Sequence, residues 1–156
     1  MTRILGIDPG FGRMGYGVVE LQNREWVHVA HGCLETKPEH SLADRLLGVR
    51  RGMVHLVEKY QPTAAGVEAL FFANNAKTAM MVGQARGIII LTLREHNLPI
   101  HEPTPLQVKQ ALTGYGQAEK EQVQYMVNTI LKLGSKKIQD DAADALAIAL
   151  AVGPLC

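Results

Sequence analysis

Three strand-like runs open the chain with only short connections between them, and this limits the available folds more than any other feature. Arg3-Ile4-Leu5-Gly6-Ile7-Asp8 is short and apolar, and Pro9-Gly10 stops it. Gly15-Tyr16-Gly17-Val18-Val19-Glu20 follows, then Trp26-Val27-His28-Val29-Ala30-His31-Gly32-Cys33-Leu34-Glu35. Connections this short suit an antiparallel meander. After Ser41 the period changes. Leu42, Leu46, Val49, Met53, Val57 and Tyr60 lie on one helical face, with Ser41 as N-cap, Asp44 three residues on and Pro62 as the stop. Ala64-Ala65-Gly66-Val67-Glu68 reads as a short buried strand, 75–96 as a long helix and Pro99-Ile100-His101-Glu102 as a last strand. Helices are expected over about 105–112, 119–133 and 140–152.

This order, a meander followed by alternating helices and strands and then helices, predicts an α/β chain, a mixed five-stranded sheet flanked by helices. Right-handed crossovers set the later strands parallel to the first and make the first strand central. One domain over 1–156 is expected, because no segment reads as a linker, repeat or low-complexity tract. With 47% hydrophobic and 20% charged residues, the composition is that of an ordinary soluble globular protein. Apolar stretches such as Ile88–Leu91 fall far short of the roughly 18 residues a membrane span needs. The first eight residues hold no apolar signal core, so neither secretion nor a membrane partner is expected. Cys33 and Cys156 are too few for a disulfide framework or a zinc site and read as reduced thiols of a cytoplasmic protein.

Four carboxylates stand out by position. Asp8 ends the first strand and Glu68 the fourth, so parallel pairing brings both to the carboxyl edge where α/β sheets bind ligands. Asp141 and Asp144, three apart at the start of the last helix, share one face with Ala145 and Ile148. Oxygen donors without clustered His or Cys suit Mg²⁺ or Mn²⁺. Acids from three elements fit two ions about 3.5–4 Å apart, an arrangement that stabilises both oxygens of a phosphoryl displacement. Each acid alone has a plainer reading: Asp8 in an Asx turn, Glu68 beside a base, Asp141 and Asp144 at a helix dipole. Gly10-Phe11-Gly12-Arg13-Met14-Gly15 matches the dinucleotide fingerprint but opens a strand where that motif opens a helix. His28 and His31, three apart on a strand, are expected on opposite faces as ordinary strand residues.

Several segments form one ordered set: Leu5-Gly6-Ile7-Asp8-Pro9-Gly10 with Gly15-Tyr16-Gly17, Glu68-Ala69-Leu70-Phe71 with Asn75-Ala76, and Gly83-Gln84-Ala85-Arg86-Gly87. Gln107-Val108-Lys109-Gln110, Ala118-Glu119-Lys120 with Gln122-Val123, and Asp141-Ala142-Ala143-Asp144-Ala145-Leu146-Ala147 complete it. Taken together, these segments resemble the RuvC family of bacterial Holliday junction resolvases. The resemblance implies an RNase H-like, integrase-type fold and a homodimer. It also implies structure-selective cutting of four-way junction DNA by paired symmetric nicks, in recombination and repair. The family's metal acids fall on Asp8, Glu68, Asp141 and Asp144, holding two Mg²⁺, with Mn²⁺ as the alternative. Its motif lysines fall on Lys109 and Lys120, and its junction-contacting aromatic on Phe71, with Phe72 beside it. RuvA and RuvB are implied as branch-migration partners.

Further expectations follow from the residues. Lys120 suits the charge developing on the scissile phosphate; its plainer role is a solvated lysine paired with Glu119 or Glu121. Phe71 and Phe72 suit a wedge between unstacked bases, or else core packing. Lys77 and Arg86 are candidate DNA contacts in a stretch, 69–94, that holds no acid. Ala79, Gly83, Ala85 and Gly87 suit a close dimer contact through the long helix, although Ile88–Leu91 equally suits a core. Asp140 is an extra acid without an assigned role. Sixteen Lys and Arg against fifteen Asp and Glu give +1; with the four site acids set aside, eleven acids remain and the balance becomes +5. The near-neutral total therefore does not exclude DNA. A junction-binding scaffold without cleavage is the alternative function, and would not need all four acids.

Overall fold

In the computed structural model, residues 1–69, 75–135 and 137–156 are described. β1 (Thr2–Asp8), β2 (Arg13–Gln22) and β3 (Glu25–Glu35) form the meander, followed by α1 (Leu42–Tyr60), β4 (Ala64–Val67), α2 (Ala76–Glu95) and β5 (Ile100–His101). The helices α3 (Pro105–Thr113), α4 (Lys120–Leu131) and α5 (Asp140–Val152) complete the order, with a 3₁₀ turn at Gly153–Leu155. The strand order is β3-β2-β1-β4-β5, with β1 central as expected. β4 runs parallel to β1, and β5 parallel to β4.

Side-chain parity sorts the sheet's two faces. Leu5 and Ile7 of β1 and Ala65 and Val67 of β4 pack with Val49, Met53 and Leu56 of α1 and Ile89 and Leu93 of α2. Ile4 and Ala64 take the opposite parity and pack with α3, α4 and the Ala-rich α5. Small residues let α5 lie directly on the strands. A Cβ on Gly6 would stand 2.1 Å from the Ala145 carbonyl oxygen, and one on Gly15 would stand 2.0 Å from that of Asp141. Any side chain at these two positions would push α5 off the sheet.

Local signals explain most element boundaries. Ser41 Oγ accepts from the Asp44 N–H at 3.1 Å, and Thr104 and Gln107 cap α3 reciprocally with Pro105 in its first turn. The packed face of α1 begins only at Val49, and Leu42 remains exposed. β2 and β3 extend further than their apolar runs because a two-residue turn at Asn23-Arg24, both at positive φ, joins them directly.

Two expectations need correction. His28 and His31 do not point apart: their rings meet, Nε2 to Nδ1, at 2.8 Å. The register between β2 and β3 shifts at Val18/Val19, where Ala30 and His28 pair with consecutive residues. The extra residue in β3 returns both histidines to one face. On α2, Ala79 and Ala85 are buried within the chain's own core, so they cannot form an outer contact surface. The outward face carries Met80, Leu91 and Gly87, the last with open space around it.

Candidate metal centre and its cations

The sheet register builds the site. Ile7 pairs with Val67, and the Glu68 N–H donates to the Ile7 carbonyl at 3.3 Å. Asp8 and Glu68 therefore leave neighbouring parallel strands side by side. Both have the parity that faces α5. Asp8 pairs with Gly15, and the absence of a side chain there seats the first turn of α5 against the strand. Asp141 and Asp144 project from that turn. Carboxylate oxygens of Asp8, Asp141 and Asp144 all lie within 4.8 Å of one another; Glu68, outside that trio, acts on Asp8 from the neighbouring strand.

These charges oppose one another. Asp8 is pushed up to about 8, chiefly by burial and then by Asp144, Glu68 and Asp141, with Lys120 opposing. Glu68 is raised by burial and by Asp144, against the hydrogen bond from Asp8 and the charge of Lys109. Asp144 is raised by burial despite the Lys120 ammonium beside it, with Asp141 and Asp140 adding to the rise. Clustered half-buried carboxylates that resist ionisation together become stable anions beside a divalent cation. Their all-oxygen donor set fits a hard one. The acidic cluster is compatible with divalent metal binding.

Cations border the acids. Lys120, in the first turn of α4, reaches Asp140 at 3.3 Å and Asp144 at 3.7 Å. The acids it meets are those of α5, not the Glu119 or Glu121 of its plainer reading. For Lys120, burial opposes the charged form, but Asp144, Asp140 and Asp141 outweigh burial and raise its pKa. Asp140 accepts from Gln124 Nε2 at 3.3 Å and pairs with the lysine beside Asp144. A cavity of about 480 Å³ is lined by Glu68, Lys109, Lys120 and Asp144 among others, so both motif lysines open onto the acids.

Arg13 is a neighbour that sequence reasoning missed. Its guanidinium lies 3.7 Å from Asp141 and 3.3 Å from Glu35. No sequence period announces it; the β1–β2 register alone returns the start of β2 to the site. Lys77 is exposed in the first turn of α2. Arg86 is no open cation, because it pairs with Glu102 and donates to the Glu68 carbonyl. Phe71, Phe72 and Lys136 lie outside the described residues.

Comparison with known proteins agrees with this geometry. A family model described as Crossover junction endodeoxyribonuclease RuvC matches residues 4–152. The chain is 51% identical over 149 residues to the crossover junction endodeoxyribonuclease RuvC of Roseiflexus sp., covering 96% of this chain and 89% of that protein. It is 48% identical over 150 residues to that of Petrotoga mobilis, covering 96% and 92%. A structure of Thermus thermophilus RuvC in complex with Holliday junction substrate aligns with a TM-score of 0.91 at 34% identity, covering 97% of this chain and 92% of that one. Fold and acidic site together define an RNase H-like α/β protein of the nuclease kind. Its family is equally plain. The chain belongs to the RuvC family of crossover junction endodeoxyribonucleases.

Proposed function

We propose that this chain resolves four-way DNA junctions by hydrolysing one phosphodiester in each of two symmetric strands. The observation that carries the reading is the convergence of Asp8, Glu68, Asp141 and Asp144 with Lys109 and Lys120 at one sheet edge. The four carboxylates would hold two Mg²⁺, with Mn²⁺ as substitute. Bound divalent ions supply an activated water and stabilise the leaving 3′ oxygen. The chain's own groups do the rest. Asp8 and Glu68 fix the site to the rigid centre of the sheet, and Asp141 and Asp144 complete it from α5. Lys120, tethered by Asp140, meets the charge that develops on the scissile phosphate, and Lys109 balances Glu68. The products would carry 5′-phosphate and 3′-hydroxyl ends.

A two-fold junction requires two matched sites, so the working form would be a homodimer. The outward face of α2, with Met80, Gly87 and Leu91, is the proposed contact. Lys77 and, outside the described residues, Phe71 and Phe72 remain proposed junction contacts. No described helix is long and apolar enough to cross a membrane. The proposed setting is the cytoplasm, with RuvA and RuvB as partners.

The test is cleavage of an end-labelled four-way junction beside a linear duplex of the same arms. With Mg²⁺, paired nicks at symmetric positions are expected in the junction, at least about 100-fold faster than any cut in the duplex. EDTA should abolish them and leave binding. Equal cutting of both substrates would remove the junction from the account. Tight binding without product in either metal would favour the scaffold.

A further inference from the structure

Glu68 follows the last residue of a strand only four residues long, so something other than strand length must hold it. The backbone on either side of its Cα is held at three points. The Glu68 N–H donates to the Ile7 carbonyl at 3.3 Å, and the Ala69 N–H donates to the Pro103 carbonyl at 2.9 Å. The third bond comes from a side chain: Arg86 Nε–H donates to the Glu68 carbonyl at 3.2 Å. The same guanidinium uses Nη2 to pair with the Glu102 carboxylate, just beyond β5. The Arg86 side chain is only 18% exposed.

We infer that Arg86 is a positioning residue for Glu68 and not a DNA contact. Arginine suits the task because its planar fork presents two donors in fixed relation to two acceptors. Glu102 holds the plane, and Nε then fixes the carbonyl of the residue whose carboxylate faces Asp8. The fork also ties the middle of α2 to the segment between β5 and α3. A lysine offers one ammonium on a flexible stem and cannot reproduce both bonds in one geometry. Displacing a reacting constellation by about 1 Å costs on the order of 100-fold in rate. The inference rests on Glu68 belonging to the proposed cutting centre.

The experiment compares wild type, Arg86→Ala, Arg86→Lys, Glu68→Gln and the double variant Arg86→Ala with Glu68→Gln. Folding is checked by circular dichroism at 25 °C. Three quantities are read: single-turnover junction cleavage in Mg²⁺, junction affinity and its salt slope in EDTA, and Mn²⁺ affinity without DNA by calorimetry. Arg86→Ala should cut about 100-fold more slowly and bind Mn²⁺ about 10-fold more weakly. Its junction affinity should stay within about twofold and its salt slope unchanged. Arg86→Lys should recover part of the loss, and it supplies the readout should the alanine variant not fold. In the Glu68→Gln background, Arg86→Ala should weaken Mn²⁺ binding by less than about threefold further, because both changes act on one group.

Weaker junction binding, with a salt slope reduced by about one and an unchanged single-turnover rate, would make Arg86 a phosphate contact and overturn the inference. Equal Mn²⁺ losses in both backgrounds would overturn it too. If Glu68→Gln is inactive while Arg86→Ala cuts like wild type, this inference alone falls. If Glu68→Gln itself cuts like wild type, the reading of Glu68 falls and takes this one with it.

Discussion

Asp8→Asn should abolish junction cleavage while leaving junction binding nearly intact. The asparagine keeps the size of the side chain and one acceptor oxygen but removes the negative charge. Asp8 stands at the centre of the site: burial, Asp144, Glu68 and Asp141 all act on its carboxyl. Without it, Asp141 and Asp144 retain only Glu68 across the sheet edge, and a cation between strand and helix loses the ligand that links them. A rate loss of at least about 1,000-fold is expected, since the chain would forfeit both positioning and charge stabilisation. In the proposed function, binding is assigned to cations outside the acids, so the variant's affinity in EDTA should equal or slightly exceed that of wild type. Gel shift and single-turnover cleavage on one junction read both effects. A variant cutting within about tenfold of wild type would show that Asp8 is not part of the centre.

The metal-free protein should lose stability as pH rises from about 5 to 8. The folded-state pKa of Asp8 is raised from 3.8 to about 8. The folded state therefore holds a proton through a range in which the unfolded chain has released it. The associated stability is complete below the unfolded pKa and is lost as pH climbs through the folded one. Glu68 and Asp144 are raised too and act in the same direction. A full shift of this size would correspond to about 5–6 kcal/mol; water in the half-open cleft screens the repulsion, and about 2–3 kcal/mol is the expected loss. That is on the order of 5–10 °C in melting temperature for a domain of this size. Asp8→Asn should flatten most of the dependence, and Mg²⁺ should restore wild type at pH 8. Thermal melts in EDTA across this range provide the check. A wild-type stability that rises steadily with pH would contradict the electrostatic account.

The acids were legible in the sequence because simple periodicities fix them. Asp8 and Glu68 each follow an apolar run, and parallel pairing of those runs makes them neighbours. Asp141 and Asp144 share a helical face at any register of α5. Features that depend on register or pairing were not legible. One extra residue in β3 reverses the expected facing of His28 and His31. The turn at Asn23-Arg24 places an arginine in the left-handed region, which no turn preference announces. Charge counting treats every cation alike, yet Arg86 is paired with Glu102 and Lys132 with Glu25. The small residues of α2 carry the same limit: composition marks Ala79 and Ala85 as fit for close approach, but both are buried in the folded chain.

The sheet edge bearing Asp8, Glu68, Asp141 and Asp144 is proposed as a divalent-metal centre. Calorimetric titration of Mn²⁺ into metal-free wild type and Asp8→Asn at pH 7, in two buffers of different ionisation enthalpy, tests it most directly. Wild type should release close to one proton on binding, because Asp8 must ionise to serve as a ligand. Asp8→Asn should bind at least about 10-fold more weakly and release markedly less. Equal affinity and equal proton release in the two proteins would place the metal elsewhere and contradict the proposed centre.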